Sequence, residues 1–236
     1  MDFWNLLFPE NIKCIICNDE LPCDNDFCLC EDCVKHLPFM PSDNICLKCG
    51  APTKSGNYCL HCKQAGRHFE KHRSVFAYSG EIINTIQNFK YSNAKYLAPY
   101  LGNLLVDKFK KEGWVVDMVI PVPLHEMREK ERGYNQSLML SRQFEKIALE
   151  INTTALVRTK YLTQQAILTG KERLTNLKQS FKVVNKKEIK GKTILLIDDI
   201  FTTGNTINAC ASTLRKGGAK EVYALTICKT LLDELI

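Results

Sequence analysis

A chain of 236 residues with 45% hydrophobic and 25% charged content is composed like an ordinary globular protein, long enough for one medium domain or for a small module on a larger one. No apolar stretch is long enough to span a membrane, and the start, MDFWNLLFPEN, lacks a basic leader, so a cytoplasmic location is the expectation. The net charge of +6 is unevenly spread: residues 1–62 carry four Lys/Arg against nine Asp/Glu, and the rest of the chain carries 28 against 17. An acidic head on a basic body favours anionic partners for the body, phosphates or nucleic acid.

The head comes first. Ten of the twelve cysteines precede residue 63, and eight of them form four C-x-x-C pairs: Cys14/Cys17, Cys30/Cys33, Cys46/Cys49 and Cys59/Cys62. Each pair presents two thiolates to one metal, and two pairs complete a tetrahedral zinc site. Four pairs therefore predict two structural zinc ions. Sequential pairing is the simplest arrangement, and interleaved pairing stays open. Disulfides fit a reducing compartment poorly. Cys23 and Cys28 fall outside the rhythm, and His36 and His61 are not needed as ligands. So short a segment cannot build a large core, and the metal supplies much of its folding free energy.

After a basic, turn-rich stretch, Ser74 to Tyr78 reads as a strand. Glu81 to Tyr91 has apolar residues at helical spacing, and so does Ala94 to Lys111, where Pro99 marks the first turn. Lys90, Lys108, Lys110 and Lys111 are weak candidates for nucleic-acid contact, since such residues more often form a solvated face.

Val115 to Val122 reads as a buried strand running into Pro121, Val122 and Pro123. A basic loop with Arg128, Lys130 and Arg132 follows, then a helix from about Asn135 to Leu149. A strand end, basic side chains and a helix start form an anion site, and the guanidinium fork suits pyrophosphate. The polar stretch from Arg158 to Lys178 is long for a loop and reads as a lid, with Lys171, Arg173 and Asn176 as its working side chains. A short strand, Phe181 to Val184, and a basic turn, Lys186 to Lys192, come next.

The richest stretch is TILLIDDIFTTGNT, residues 193–206. A buried strand, Thr193 to Ile197, ends in Asp198 and Asp199, and a short loop, Thr202, Thr203, Gly204, Asn205 and Thr206, leads into the next helix, which begins at Thr206. Unpaired N–H groups at such a turn suit a phosphate, and the carboxylates suit hydroxyls of whatever carries it. The helix runs to Lys216 and stops at Gly217-Gly218, and Val222 to Cys228 forms the last strand. Strand–helix alternation predicts an α/β fold with a mostly parallel sheet and ligands at the carboxyl ends of its strands. Cys210 and Cys228 read as core residues.

IDDIFTTGNT closely resembles the ribose-phosphate motif of type I phosphoribosyltransferases. Together with the cysteine pairs, VIPVPLHEMREKERGYNQS and the polar stretch from Gln165 to Phe181, it resembles the ComF family of competence proteins over nearly the whole chain. That resemblance implies a type I phosphoribosyltransferase domain over residues 67–236 behind a double zinc-ribbon module over residues 1–66. It also implies binding of phosphoribosyl pyrophosphate (PRPP) with magnesium. Asp198 and Asp199 would hold the ribose hydroxyls, Thr202 to Thr206 the 5′-phosphate, and Pro121 to Leu124 would meet the pyrophosphate. Arg128, Arg132, Asn135 and Gln136 match the family signature; Gln165, Arg173 and Asn176 match its mobile loop, with Tyr161 to Ala166 departing from the proline-containing form. The family's role is natural transformation, handling single-stranded DNA with helicase-like partners. An active transferase on an unidentified acceptor is the alternative, because no acceptor pocket is legible.

Overall fold

The computed structural model describes residues 13–21, 27–54, 57–159 and 180–231. Its centre is a five-stranded, wholly parallel sheet in the order β1-β7-β6-β2-β3. The strands are β1 (His72–Ala77), β2 (Met118–Pro121), β3 (Glu150–Ile151), β6 (Thr193–Phe201) and β7 (Glu221–Lys229). A separate antiparallel pair joins β4 (Leu156–Arg158) to β5 (Phe181–Val183), bracketing the polar stretch.

Strand periodicity divides the core between the two faces of the sheet. Leu195, Ile197, Leu225 and Ile227 pack with helices α3 (Ile82–Tyr91) and α4 (Ala98–Glu112) and with α6 (Gln136–Ser141). Ile194, Leu196, Val222 and Ala224 pack with helix α8 (Asn205–Gly217) through Ile207, Cys210, Ala211 and Leu214. Helices on both faces of a parallel sheet make a doubly wound α/β domain. Cys210 and Cys228 are both fully buried, as core residues.

Several boundaries differ from the sequence reading. Strand β6 extends to Phe201, so the two aspartates lie within it, because the ladder with β7 continues to the pair Phe201↔Lys229. The basic loop after β2 is instead helix α5 (Glu126–Arg132), started by His125, whose Nδ1 accepts from the Met127 N–H, and ended by Gly133 in the left-handed region. The expected helix from Asn135 shortens to α6 and a 3-10 turn, Arg142–Ile147. That segment rests on α4 where Gly102 lies: a Cβ there would come within 2.4 Å of Gln143 Cγ. Pro99 does sit in the first turn of α4, and Gly218 ends α8 with φ +106°. The turn after β5 holds a short helix, α7 (Lys186–Ile189).

In the head, helices α1 (Glu31–His36) and α2 (Leu60–Gln64) follow a cysteine each, and bridges Lys13↔Glu20 and Ile45↔Pro52 close the two ribbons. No helix among the described residues is long and apolar enough to cross a membrane.

Candidate phosphate-binding site and metal centres

Chain order explains where the site sits. From β6 the chain proceeds to β7 on one side, and from β2 to β3 on the other, so the adjacent strands β6 and β2 flank the point where the winding reverses. Ligands of such sheets bind in the crevice beyond the carboxyl ends of the strands at that point. Both stretches singled out in the sequence end there: Pro121 pairs with Ile197, immediately before Asp198.

The two aspartates meet different partners. Asp199 is buried, and its Oδ2 lies 3.0 Å from Lys90 Nζ at the end of α3. Asp198 Oδ1 accepts from Ser137 Oγ on α6 at 2.8 Å and from the Asp199 N–H at 3.0 Å. Burial, reinforced by the neighbouring Asp199 charge, pushes the Asp198 carboxyl up to about 7, against the pull of Ser137 and Lys90. Perturbation of that size is typical of working carboxylates.

Beyond Phe201 the chain turns through Thr202 and Thr203, both exposed, to Gly204 at φ +75°, where α8 starts. Among the described residues, the backbone N–H groups of Thr202, Thr203, Gly204, Asn205 and Thr206 donate to no protein acceptor. Five consecutive unpaired donors at the positive end of a 13-residue helix form a cradle for an anion. Gly204 is required on two counts. Its φ favours glycine, and a Cβ would lie 2.2 Å from Cζ of Phe201.

The opposite wall is less generous than the sequence implied. Pro121 and Pro123 have no N–H, and that of Val122 is engaged by the Ile197 carbonyl at 2.9 Å. Among the described residues the Leu124 N–H is the backbone donor of this stretch that meets no protein acceptor, so anion contacts from this side fall to it and to side chains. Asn135 fixes the wall: its Nδ2 donates to the Val122 carbonyl, and its Oδ1 caps α6 by accepting from the N–H groups of Ser137 and Leu138. Arg132 donates to Gln136 Oε1 and to the Tyr91 hydroxyl, with its guanidinium 5.1 Å from the Tyr91 ring centre. Arg128 is half-buried on α5. Arg158, on β4, lies within electrostatic range of Arg128, Arg132 and Asp198, and among the described residues its buried Nε has no hydrogen-bond partner. Burial first, then Arg128, lowers its pKa. Lys171, Arg173, Gln165 and Asn176 lie outside the described residues.

Lys90 is thus set apart from the other lysines proposed for nucleic acid. It is mostly buried and serves the acid pair. Lys108 pairs with Glu112, and Lys111 with Asp107, along α4, while Lys110 is exposed. Sequence reasoning missed Ser137 and Arg158. Ser137 ends the quoted run RGYNQS, and only its place in the first turn of α6 aims it at Asp198. Nothing in the sequence pairs Lys90 with an acid more than a hundred positions away.

The cysteines assemble as two sequential clusters, Cys14/Cys17/Cys30/Cys33 and Cys46/Cys49/Cys59/Cys62, with all sulfurs of each within 4.8 Å of one another. Tetrahedral zinc with bonds of about 2.3 Å places sulfurs about 3.8 Å apart. Cys17 and Cys30 Sγ are 3.7 Å apart, as are Cys49 and Cys59 Sγ. Within the pairs, the Cys49 N–H points to Cys46 Sγ, as knuckle geometry requires; the Cys33 N–H points likewise to Cys30 Sγ. Four sulfur donors fit zinc and leave no position open for catalysis. His36 Nδ1 lies beside the Asp32 carbonyl, outside either cluster. Cys28 packs in the core.

The phosphoribosyl transferase domain profile matches residues 119–234, and the double zinc ribbon domain profile matches residues 3–63. Competence protein F of Haemophilus influenzae is 31% identical over 220 residues, which cover 90% of this chain and 94% of that protein. The chain belongs to the ComF family of competence proteins. Competence protein ComFC of Streptococcus pneumoniae is 26% identical over 233 residues, covering 92% of this chain and all of that protein. DNA utilization protein YhgH of Escherichia coli K12 is 28% identical over 194 residues, covering 79% and 85%. The ComF chain described here thus joins a double zinc ribbon to a phosphoribosyltransferase-type α/β domain.

Proposed function

We propose that this protein binds PRPP at the crevice between β6 and β2 and acts in DNA uptake during natural competence. The observation that carries the reading is the run of unpaired N–H groups from Thr202 to Thr206 beside the acid pair. The loop takes the 5′-phosphate, Asp198 and Asp199 accept from the ribose hydroxyls, and Arg128, Arg132 and Arg158 face the pyrophosphate. Arg173, outside the described residues, belongs to the same reading as a PRPP ligand. Magnesium, bound with PRPP through the hard pyrophosphate oxygens, would supply charge neutralisation at the leaving group. Lys90 already balances Asp199, which leaves that carboxylate suited to hydroxyl donors rather than to a bare dication. The division into residues 1–66 and 67–236 and a cytoplasmic location belong to the same reading.

The relatives' names, competence protein and DNA utilization protein, support a DNA-handling role, with single-stranded DNA and a helicase-like competence protein as partners. The enzyme reading, a magnesium-dependent phosphoribosyltransferase, draws on Asp198, whose pKa near neutrality suits proton transfer.

Calorimetric titration with PRPP and magnesium tests the first claim. Wild type binds, and Asp198→Asn/Asp199→Asn loses at least about tenfold in affinity, a difference of 1.4 kcal/mol; equal affinity would remove the site. Pyrophosphate release separates the enzyme from the binding protein. For DNA, affinity falls steeply with salt when phosphate contacts dominate.

A further inference from the structure

A single aromatic ring joins the second cysteine cluster to the phosphate loop. Phe201, the last residue of β6, is 2% exposed. From the loop side, the Gly204 backbone lies on its ring so closely that no Cβ could fit. From the metal side, the His72 ring stacks on it at 3.9 Å, and Lys229 Nζ lies 4.0 Å from its centre. His72 in turn donates from Nδ1 to the carbonyl of Cys49 at 3.0 Å, and its own N–H donates to the carbonyl of Lys48 at 2.7 Å. The ring therefore meets the phosphate-loop backbone at Gly204 and, through the His72 ring, is one residue removed from the Cys49 carbonyl.

Lys229 is the unusual member. It is 4% exposed, and among the described residues no carboxylate pairs with it. A buried, unpaired ammonium is costly. The opposite charges within electrostatic range of it are those of Cys49, Cys62 and Cys59, set against the like charge of Arg67. Zinc bound by four thiolates carries a net charge of about −2, so the loaded site supplies the missing counter-charge. The Phe201 ring adds a cation–π contact in a desolvated setting.

A second strap runs in parallel. Five residues after Cys62, Arg67 donates from Nη2 to the Thr203 carbonyl at 2.8 Å, holding that oxygen away from the cradle's N–H groups. Asn208 on α8 accepts from the His68 N–H and donates to the Gly66 carbonyl. Among the described residues, no such contacts join the first cluster to the phosphate loop. Its cysteines pack with α3 and α4, in the core on the opposite face of the sheet from α8.

We propose that Phe201, with Lys229 and Arg67, are positioning residues through which metal in the Cys46/Cys49/Cys59/Cys62 site sets the conformation of the phosphate loop, so that metal and anion binding there are thermodynamically linked. The anion half of this linkage rests on the PRPP reading; the metal half does not. Linkage is reciprocal, so the coupling is readable from either end.

The test uses the full-length, zinc-loaded protein and Lys229→Met. In wild type, saturating PRPP with magnesium tightens the affinity for one zinc ion, read at equilibrium by competition with a chromogenic chelator, by about five- to 150-fold, the usual span of such couplings, and leaves the other unchanged. Lys229→Met abolishes that difference. Without any PRPP, it also speeds exchange of the two hydrogen-bonded loop amides, Asn208 on the Gly204 carbonyl and Thr230 on the Phe201 carbonyl, while the first site keeps its metal. Arg67→Ala, on the linker, gives the same loop effect without touching the metal core, should Lys229→Met fail to fold. If PRPP binds by calorimetry but the zinc affinity of both sites ignores it, and the loop amides of both variants exchange as in wild type, the proposal is overturned. If PRPP does not bind, the PRPP reading falls alone, and the exchange of the loop amides still decides the metal half.

Discussion

The two cysteine clusters have the same donors and the same spacing within each pair, yet they occupy different depths. In the second, Cys46, Cys49 and Cys59 are all under 5% exposed and share a core with Phe69, Phe201 and the α8 face of the sheet. In the first, Cys14 is buried, but Cys17 is exposed and Cys30 and Cys33 are half-exposed, at the margin of the α3–α4 core. Identical coordination chemistry can therefore play two parts. The first site lies at the margin of the α3–α4 core, and the second is enclosed by the core that also holds Phe201 and α8. The difference lies in what covers the sulfurs.

The largest effect expected from this comparison is on folding. Structural zinc in such modules is worth on the order of 10 kcal/mol. Cys46→Ser/Cys49→Ser should lower the melting temperature of the whole chain by ten degrees or more, taking about 2–4 °C per kcal/mol. Cys14→Ser/Cys17→Ser should leave the main thermal transition and PRPP binding near wild type. Thermal unfolding with metal analysis reads both, and equal losses for the two variants would erase the distinction.

That distinction was only partly legible in the sequence. The C-x-x-C rhythm announced two sites, and the apolar run before Asp198-Asp199 announced the strand and its place in a parallel sheet, because both are local patterns. Depth is not local. Nothing around Cys46 or Cys49 says that His72 will meet the Cys49 carbonyl, since the contact depends on how β1 docks beside β7. Lys90 read as a surface lysine because α3 is amphipathic, and only the packing of α3 on the sheet brings it to Asp199. Helix α5 was hidden in a run of alternating charges that looked like loop until His125 and Gly133 were seen to cap it.

Next in size is Gly204→Ala. A left-handed φ costs a residue with a Cβ roughly 1–2 kcal/mol, and the overlap with Phe201 adds to it. We expect about 2–3 kcal/mol lost in denaturant unfolding and a tenfold or greater loss of PRPP affinity. Wild-type behaviour in both would mean that the loop does not rest on the ring.

Asp198→Asn should act in the opposite direction on stability. With its pKa raised to about 7, Asp198 holds a proton more tightly in the folded chain than in the unfolded one. Stability from this group is therefore lost as pH rises from about 4 to about 7, and the penalty persists above that. Removing the carboxylate should raise the melting temperature at pH 8 by a few degrees, about 1 kcal/mol for a chain of this size, while PRPP binding is lost. A melting temperature at pH 8 equal to or below that of wild type would contradict the raised value.

The smallest effects belong to α4, on the side of the first cluster. Lys111 and Asp107 form an exposed pair, so Lys111→Ala should change stability by under about 0.5 kcal/mol. If Lys110 and Lys111 do touch DNA, replacing each should lower the salt slope of binding by about one; an unchanged slope would free this face from the DNA-handling role.

The claim on which the rest depends is that the unpaired amides of Thr202 to Thr206 receive a phosphate. Residue-resolved amide exchange with and without PRPP and magnesium tests it most directly. The structure predicts that these five amides gain protection together while the N–H of Val122, already bonded to the Ile197 carbonyl, changes little. Saturating PRPP with unchanged exchange from Thr202 to Thr206 would contradict it.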